Sequence, residues 1–187
     1  MSTPNPIRVL AISGSLRKAS FNTAALHVAQ ELAPEGVAIE LFDIAPIPLY
    51  NEDVHEQGFP APVAELRTRI KNADALLIAT PEYNYSVPGV LKNTIDWVSR
   101  PPDQPFDGKP VALLSASPAF TGGARAQYHL RQILIYLNPY ILNRPEVFIT
   151  TAHTKFDSTG RLTDEHTREH IRTLLVALKA WTERFRK

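Results

Sequence analysis

The chain contains no cysteine. That absence removes disulfide staples, thiolate nucleophiles and Cys-ligated zinc or iron–sulfur centres together, and it suits a reducing compartment. No run approaches the ~18 consecutive apolar residues that a membrane-spanning helix needs. The opening "MSTPNP" has no basic stretch leading into an apolar region, so the expected location is the cytoplasm. Neither G-x-G-x-x-G nor G-x-x-x-x-G-K-[ST] occurs, which makes Rossmann-type dinucleotide binding and P-loop NTP hydrolysis poor fits. Acidic residues are locally missing as well. Between Met1 and Gln30 there is no Asp or Glu, while Arg8, Arg17 and Lys18 lie there. The formal net charge of the whole chain is only +1, so no nucleic-acid footprint or acidic carrier surface is written into it. A local anion site fits the distribution better than a global one.

With 187 residues, 44% hydrophobic and 21% charged, the chain is long enough for one sizeable core and too short for two ordinary domains. One soluble globular domain over residues 1–187 is expected, without internal repeats. Short apolar runs at 7–12, 37–42, 75–79, 111–116 and 146–150 alternate with helical patterns at 21–33, 61–72, 89–99, 123–138 and 163–184. This alternation predicts an α/β fold, a parallel sheet covered by helices on both faces. Four runs are almost continuously apolar, as strands buried on both sides should be. The run 37–42 alternates instead, Val37, Ile39 and Leu41 against Ala38, Glu40 and Phe42. It belongs at a sheet edge, which gives a doubly wound, five-stranded sheet of order 2-1-3-4-5, the flavodoxin-like arrangement. In the last helix Ile171, Leu174, Leu175, Leu178, Thr182 and Phe185 recur at three- and four-residue steps and predict one buried stripe.

In such a sheet ligands bind at the carboxyl ends of the strands, where the first strand-to-helix turn lies. "SGSLRKASFNT" occupies that turn. Gly14 allows close backbone approach, Ser15, Ser20 and Thr23 offer hydroxyls, Asn22 offers an amide, and the helix start aims unpaired N–H groups and its positive end at the same spot. A phosphate suits those parts best. Ser20 as a mere helix cap and Arg17 and Lys18 as solvated charges is the plainer alternative. It leaves Ser15, Asn22 and Thr23, with no carboxylate nearby, unexplained.

The stretch "TPEYNYSVPGVLKNTIDWVSRP" leaves the third strand through Pro81 and re-enters a helix after Pro88 and Gly89, at the same carboxyl edge. Tyr83 and Tyr85, with the backbone of Glu82 and Asn84, offer aromatic edges and hydrogen-bonding groups beside a planar ligand. In "SASPAFTGGARAQ" the small residues either admit a ring or partner chain or make a plain flexible connection into a helix starting at Thr121. The sequence leaves both open.

"GSLRKASFN", "PEYNYSVPGVLKNTIDWVSRP", "GKPVALLSAS" and "GGARAQYHLRQIL" together resemble the NAD(P)H-dependent FMN reductases of flavodoxin-like fold, most closely the bacterial chromate and quinone reductase branch. The resemblance implies FMN as cofactor, its phosphate held by Ser15, Arg17, Ser20, Asn22 and Thr23. It implies that Pro81, Glu82, Tyr83, Asn84 and Tyr85 frame the isoalloxazine ring, with Ser115 and Ser117 on its other side. The implied reaction passes hydride from NADPH or NADH to flavin N5 and then electrons to a quinone, free flavin, azo compound or metal oxyanion such as chromate, by a ping-pong sequence. The flavin carries the chemistry, so no catalytic side chain is expected. Family members form homodimers and homotetramers, and Tyr128, Ile135, Arg125 and Arg131, off the core stripe of helix 123–138, are of the kind found at interfaces. The likeness departs at Pro118 and Phe120, which bears on acceptor choice.

Two rivals stand beside this reading. An electron-transfer flavodoxin would lack its own NAD(P)H reaction, but such carriers resemble strongly acidic proteins and this chain is nearly neutral. "HTREH" (166–170) fits the metalloprotease pattern H-x-x-E-H. On a helix those residues face away from the Ile171–Leu174–Leu178 stripe, and Glu183 is the sole later carboxylate, so no closed metal site is expected.

Overall fold

The computed structural model describes residues 5–186; the reading of the first four residues and of Lys187 lies outside them. Its strands are β1 (Ile7–Ser13), β2 (Val37–Phe42), β3 (Ala75–Ala79), β4 (Pro110–Ala116), β5 (Tyr140–Ile141) and β6 (Val147–Ile149). Its helices are α1 (Phe21–Glu31), α2 (Glu52–His55), α3 (Ala61–Asn72), α4 (Gly89–Val98), α5 (Ala124–Ile135) and α6 (Glu165–Glu183). All strand pairs are parallel and run in the order β2-β1-β3-β4-β5, with β6 also on β4. The fold is flavodoxin-like, as the alternation of runs predicts.

Alternate residues of each central strand feed opposite faces, because strand side chains have a period of two. Val9, Ala11, Leu77, Ala79, Ala112 and Leu114 pack under α1 and α6. Leu10, Ile12, Leu76, Ile78, Val111 and Leu113 pack under α3, α4 and α5. Each such Leu or Ile contributes about 1.5–3 kcal/mol of burial relative to exposure. The alternating β2 does lie at the edge, with Ala38 and Glu40 turned to solvent.

Three features differ from the sequence expectation. The fifth sheet position is shared: β5 pairs with Pro110 and Val111 at one end of β4, β6 with Leu114–Ala116 at the other. Pro145, which lacks a backbone donor, stands between them in the segment where the ladder is interrupted. Helix α2 is four residues long, too short to show a period, and starts on Asn51, whose side chain accepts the Asp53 N–H at 2.9 Å. Phe185 leaves the apolar stripe, since α6 ends at Glu183, and stacks on Tyr140 with ring centroids 4.1 Å apart.

Candidate functional site

The turn from β1 into α1 forms the first wall at the carboxyl edge. Gly14 is pressed against the neighbouring loop and helix: an added Cβ would lie 3.1 Å from Leu91 Cδ2 and 3.4 Å from Pro81 Cδ. Ser13 Oγ accepts the Thr23 hydroxyl at 2.8 Å and the Ser15 N–H at 3.3 Å, which folds the turn onto the helix start. Ser20 caps α1, its Oγ accepting the Thr23 N–H at 3.3 Å. Phe21 and Asn22, the first residues of α1, have no carbonyl four residues back within the helix, so their N–H groups face the turn unpaired. Arg17 is exposed, donates to the Ala19 carbonyl and lies over the Phe21 ring at 5.3 Å. Ser15, Arg17, Ser20 and Thr23 thus gather around one helix N-terminus, where the helix dipole adds positive potential.

Asn22 corrects the expectation. It is buried, and its amide is spent on the end of β4: Nδ2 donates to the Ala116 carbonyl and Oδ1 accepts the Ala116 N–H, both at 2.9 Å. Its side chain braces the wall from behind, leaving its backbone N–H to the turn.

The second wall is the loop from β3 to α4. Pro81 is buried, and Tyr83 and Ser86 exchange two backbone hydrogen bonds of 3.0 Å. The residues between them, Asn84 (φ 50°) and Tyr85 (φ 65°), are both left-handed, as a two-residue primed turn requires. Asn tolerates that region; for Tyr it costs about 1 kcal/mol or more. Tyr83 and Tyr85 are 51% and 66% exposed.

Glu82 is expected at the ring through its backbone, and its side chain has a separate duty. Its carboxylate turns to α5, where Oε2 accepts the Arg125 N–H at 3.1 Å and the Ala126 N–H at 3.3 Å, and Oε1 pairs with the Arg125 guanidinium at 2.5 Å. Gly123, the residue preceding α5, offers no side chain for capping, so Glu82 supplies the cap from another loop. Arg125 completes the clasp by lying 3.6 Å from the Tyr85 ring centroid.

The third wall, from β4 to α5, holds Ser117 half-buried with its Oγ accepting the Ala119 N–H at 3.1 Å. Ser115 is fully buried. Its Oγ donates to the Gly122 carbonyl at 2.6 Å and accepts from Gln127 Nε2 at 2.8 Å, so it is closed off from the cleft, contrary to expectation. Gly122 and Gly123, at φ 60° and 87°, fold the loop onto Phe148 and Ser115. Their smallness serves this internal approach. Phe120 stands out at the tip, 88% exposed.

Sequence reasoning missed the structural parts of Gln127 and Arg125. Nothing local pairs Glu82 with Arg125; only the adjacency of β3 and β4 brings their loops together.

A doubly wound sheet with an anion-ready first turn and two loops along the same edge defines a flavodoxin-like nucleotide-binding protein. Residues 7–154 match the family model for NADPH-dependent FMN reductase, and the chain belongs to that family. It is 59% identical over 180 residues to an NAD(P)H-dependent FMN reductase of Pseudomonas aeruginosa, covering 96% of this chain and 97% of that protein. It is 46% identical over 181 residues to a quinone reductase of Escherichia coli K12, covering 95% and 96%. Among solved structures, a flavoenzyme NAD(P)H:(acceptor) oxidoreductase from Paracoccus denitrificans superposes with a TM-score of 0.86 at 36% identity, covering 95% and 97% of the two chains. The protein is therefore an oxidoreductase of the NAD(P)H-dependent FMN reductase family, with FMN as cofactor and a small molecule as electron acceptor.

The residues present fit that cofactor. The first turn offers unpaired helix N–H groups, three hydroxyls and the cations Arg17 and Lys18, with no carboxylate in the segment. The one carboxylate within the two ring loops, Glu82, is closed on Arg125.

Proposed function

We propose that Ser15, Arg17, Ser20 and Thr23, with the first N–H groups of α1, hold the FMN phosphate. Pro81, the backbone of Glu82, Tyr83, Asn84 and Tyr85 frame the ring, with Ser117 on the opposite loop. The side chains of Asn22, Glu82 and Ser115 act behind these walls by fixing Ala116, the start of α5 and the Gly122 carbonyl. The observation that carries this reading is the convergence of hydroxyls, cation and unpaired N–H groups at the start of α1, beside the two loops of the same edge. Bound there, FMN supplies the redox chemistry, accepting hydride from NADPH or NADH and passing two electrons to an acceptor.

The chain's own part is to bind, orient and leave one face accessible. Tyr83, Tyr85 and Phe120 are exposed on the two ring loops and form an apolar rim suited to flat acceptors. Quinones are the acceptors this rim fits best, and free flavin, azo compounds and chromate complete the range. One accessible face implies that nicotinamide and acceptor take turns, the ping-pong sequence. Tyr128, Ile135 and Tyr136, exposed on and just beyond α5, would be covered in a homodimer or homotetramer. The cytoplasm is the compartment that suits a cysteine-free reductase.

The test is anaerobic. FMN-loaded protein is mixed with NADPH or NADH and the bleaching of the flavin bands followed, then oxidised with benzoquinone, chromate or an azo dye in separate runs. Bleaching and rapid reoxidation by quinone, with parallel double-reciprocal lines, is the expected result. Bound flavin that fails to bleach would make the protein an electron carrier, and intersecting lines would rule out the alternating order.

A further inference from the structure

The motif "HTREH" takes no part in the cofactor site, yet its histidines are placed for chemistry. His166 and His170 stand four residues apart in the first turns of α6, so they share one face of the helix. Both are exposed. Their ring centroids are 4.1 Å apart with the planes inclined at 59°.

Three of the other four histidines are differently engaged. His27 contacts Gln30 Oε1 at 3.2 Å, His129 contacts Ser86 Oγ at 3.0 Å, and His55 packs against Phe59 and Trp97. His166 and His170 pack against each other.

The surrounding charges are balanced. Glu169 pairs with Arg172, and Arg168 pairs with Glu31 at 3.4 Å and Glu165 at 3.8 Å. Asp164 accepts the Thr167 N–H at 2.8 Å and lies 3.9 Å from Lys155. A cation arriving at the pair therefore meets no unpaired positive neighbour on α6, and no third protein ligand either: among the described residues no three His, Cys, Asp or Glu side chains cluster.

We propose that His166 and His170 form an open, two-imidazole site for a borderline divalent cation, with water filling the remaining positions. Metal–nitrogen bonds of about 2.0–2.1 Å place two ligating nitrogens about 3 Å apart. Rings already 4.1 Å apart reach that spacing by side-chain rotation, without moving the helix. Imidazole selects Cu2+, Ni2+ and Zn2+ over hard ions, and the Irving–Williams order puts Cu2+ first. The site is not a protease centre. Hydrolytic zinc needs three protein ligands, and the Glu169 carboxylate is tied to Arg172. Because the ion would be held by residues outside the cofactor loops, this inference is independent of the flavin reading. Bridging two turns of α6, the ion would also raise the melting temperature through mass action.

Calorimetric titration of the tag-free, FMN-loaded full chain with CuCl2, NiCl2, ZnCl2 and MgCl2 tests the proposal. The expected result is one Cu2+ per chain, bound more tightly than Ni2+ or Zn2+, with no heat from Mg2+. His166→Gln and His170→Gln should each weaken Cu2+ at least tenfold, the double variant should match either single one, and the Cu2+-induced rise in melting temperature should vanish in all three. Circular dichroism checks that the variants keep their helix content. Unchanged Cu2+ affinity in both single variants, or no Cu2+ binding by the folded parent chain at submillimolar concentration, would overturn it. So would Mg2+ binding as strong as that of Cu2+.

Discussion

Glu82 and Arg125, 43 positions apart in the chain, close two loops of the carboxyl edge onto each other through a guanidinium–carboxylate pair and a backbone N–H bond to the same carboxylate. The Glu82 side chain is only 7% exposed, so the pair is shielded from water on one side. Replacing Glu82 with Gln keeps the shape and removes the charge. A hydrogen bond to a charged group contributes about 1.5–3 kcal/mol, and Glu82→Gln should lower stability toward the bottom of that range because Arg125 remains partly solvated. Urea unfolding of the two proteins measures it. The same variant should bind FMN more weakly, since the Tyr83–Ser86 turn loses its brace.

Arg17→Ala should leave the urea midpoint nearly unchanged, because the side chain is exposed and packs only on its own loop. FMN affinity of the apoprotein should fall by roughly ten- to a hundredfold, the equivalent of one charge-assisted contact to phosphate. Fluorescence titration with FMN reads the difference. Equal affinity would take Arg17 out of the site.

Two glycines give opposite expectations. A Cβ at Gly123 would stand 2.8 Å from Ser115 Cβ, and the residue sits at φ 87°, so Gly123→Ala should cost about 2 kcal/mol or more from strain and overpacking. At Gly89, the first residue of α4, nothing lies within 4 Å of the added atom. Gly89→Ala should be neutral or stabilising by about 0.4–1 kcal/mol through the unfolded chain. The denaturant midpoint should fall for Gly123→Ala and hold or rise for Gly89→Ala.

Arg67 is 7% exposed and donates to the carbonyls of Val98, Arg100, Pro102 and Asp103 while lying 4.1 Å from the Phe59 ring centroid. Burial lowers its pKa, with Asp103 opposing. Removing the side chain strands several carbonyls at once, and each buried, unsatisfied group costs about 1–3 kcal/mol. Arg67→Met should therefore destabilise by about 3 kcal/mol or more in thermal or urea unfolding, although it preserves the apolar stem.

Asp164 caps α6, and hydrogen bonds from the Thr167 hydroxyl and N–H hold its carboxyl below the ordinary value of 3.8. A depressed carboxyl pKa means that the unfolded chain takes up its proton first as the pH falls. The stabilisation is then complete above 3.8 and drains away below it, toward the folded value. Asp164→Ala should cost about 1 kcal/mol at pH 7. The gap between the two proteins should narrow as urea unfolding is repeated between pH 5 and pH 3.

The sheet order could be read from the chain because buried strands are continuous apolar runs and β2 alone alternates, a contrast imposed by burial on two faces against one. The fifth position could not, since a two-residue strand such as β5 has no measurable period and Pro145 interrupts the segment. At the site, the turn of residues 14–23 was readable because its parts are contiguous. The duties of Asn22, Glu82 and Ser115 were not. A polar residue that satisfies a distant backbone group looks, in sequence, the same as one waiting for a ligand. Telling them apart requires knowing that Ala116, the start of α5 and the Gly122 carbonyl lie within reach.

Asn22 reaches across 94 positions of sequence to hold both backbone groups of Ala116, and Ser117 is the next residue along. The start of the second ring loop is thereby bolted to the first turn of α1. The gap between them is set when the protein folds, before any ligand arrives. A molecule spanning that gap meets a jig of fixed length, so the ordering entropy that flexible walls would charge at binding is already met by folding. A flavin carrying its phosphate at the right distance from its ring benefits from such a gauge; one lacking the phosphate has nothing to place at its end.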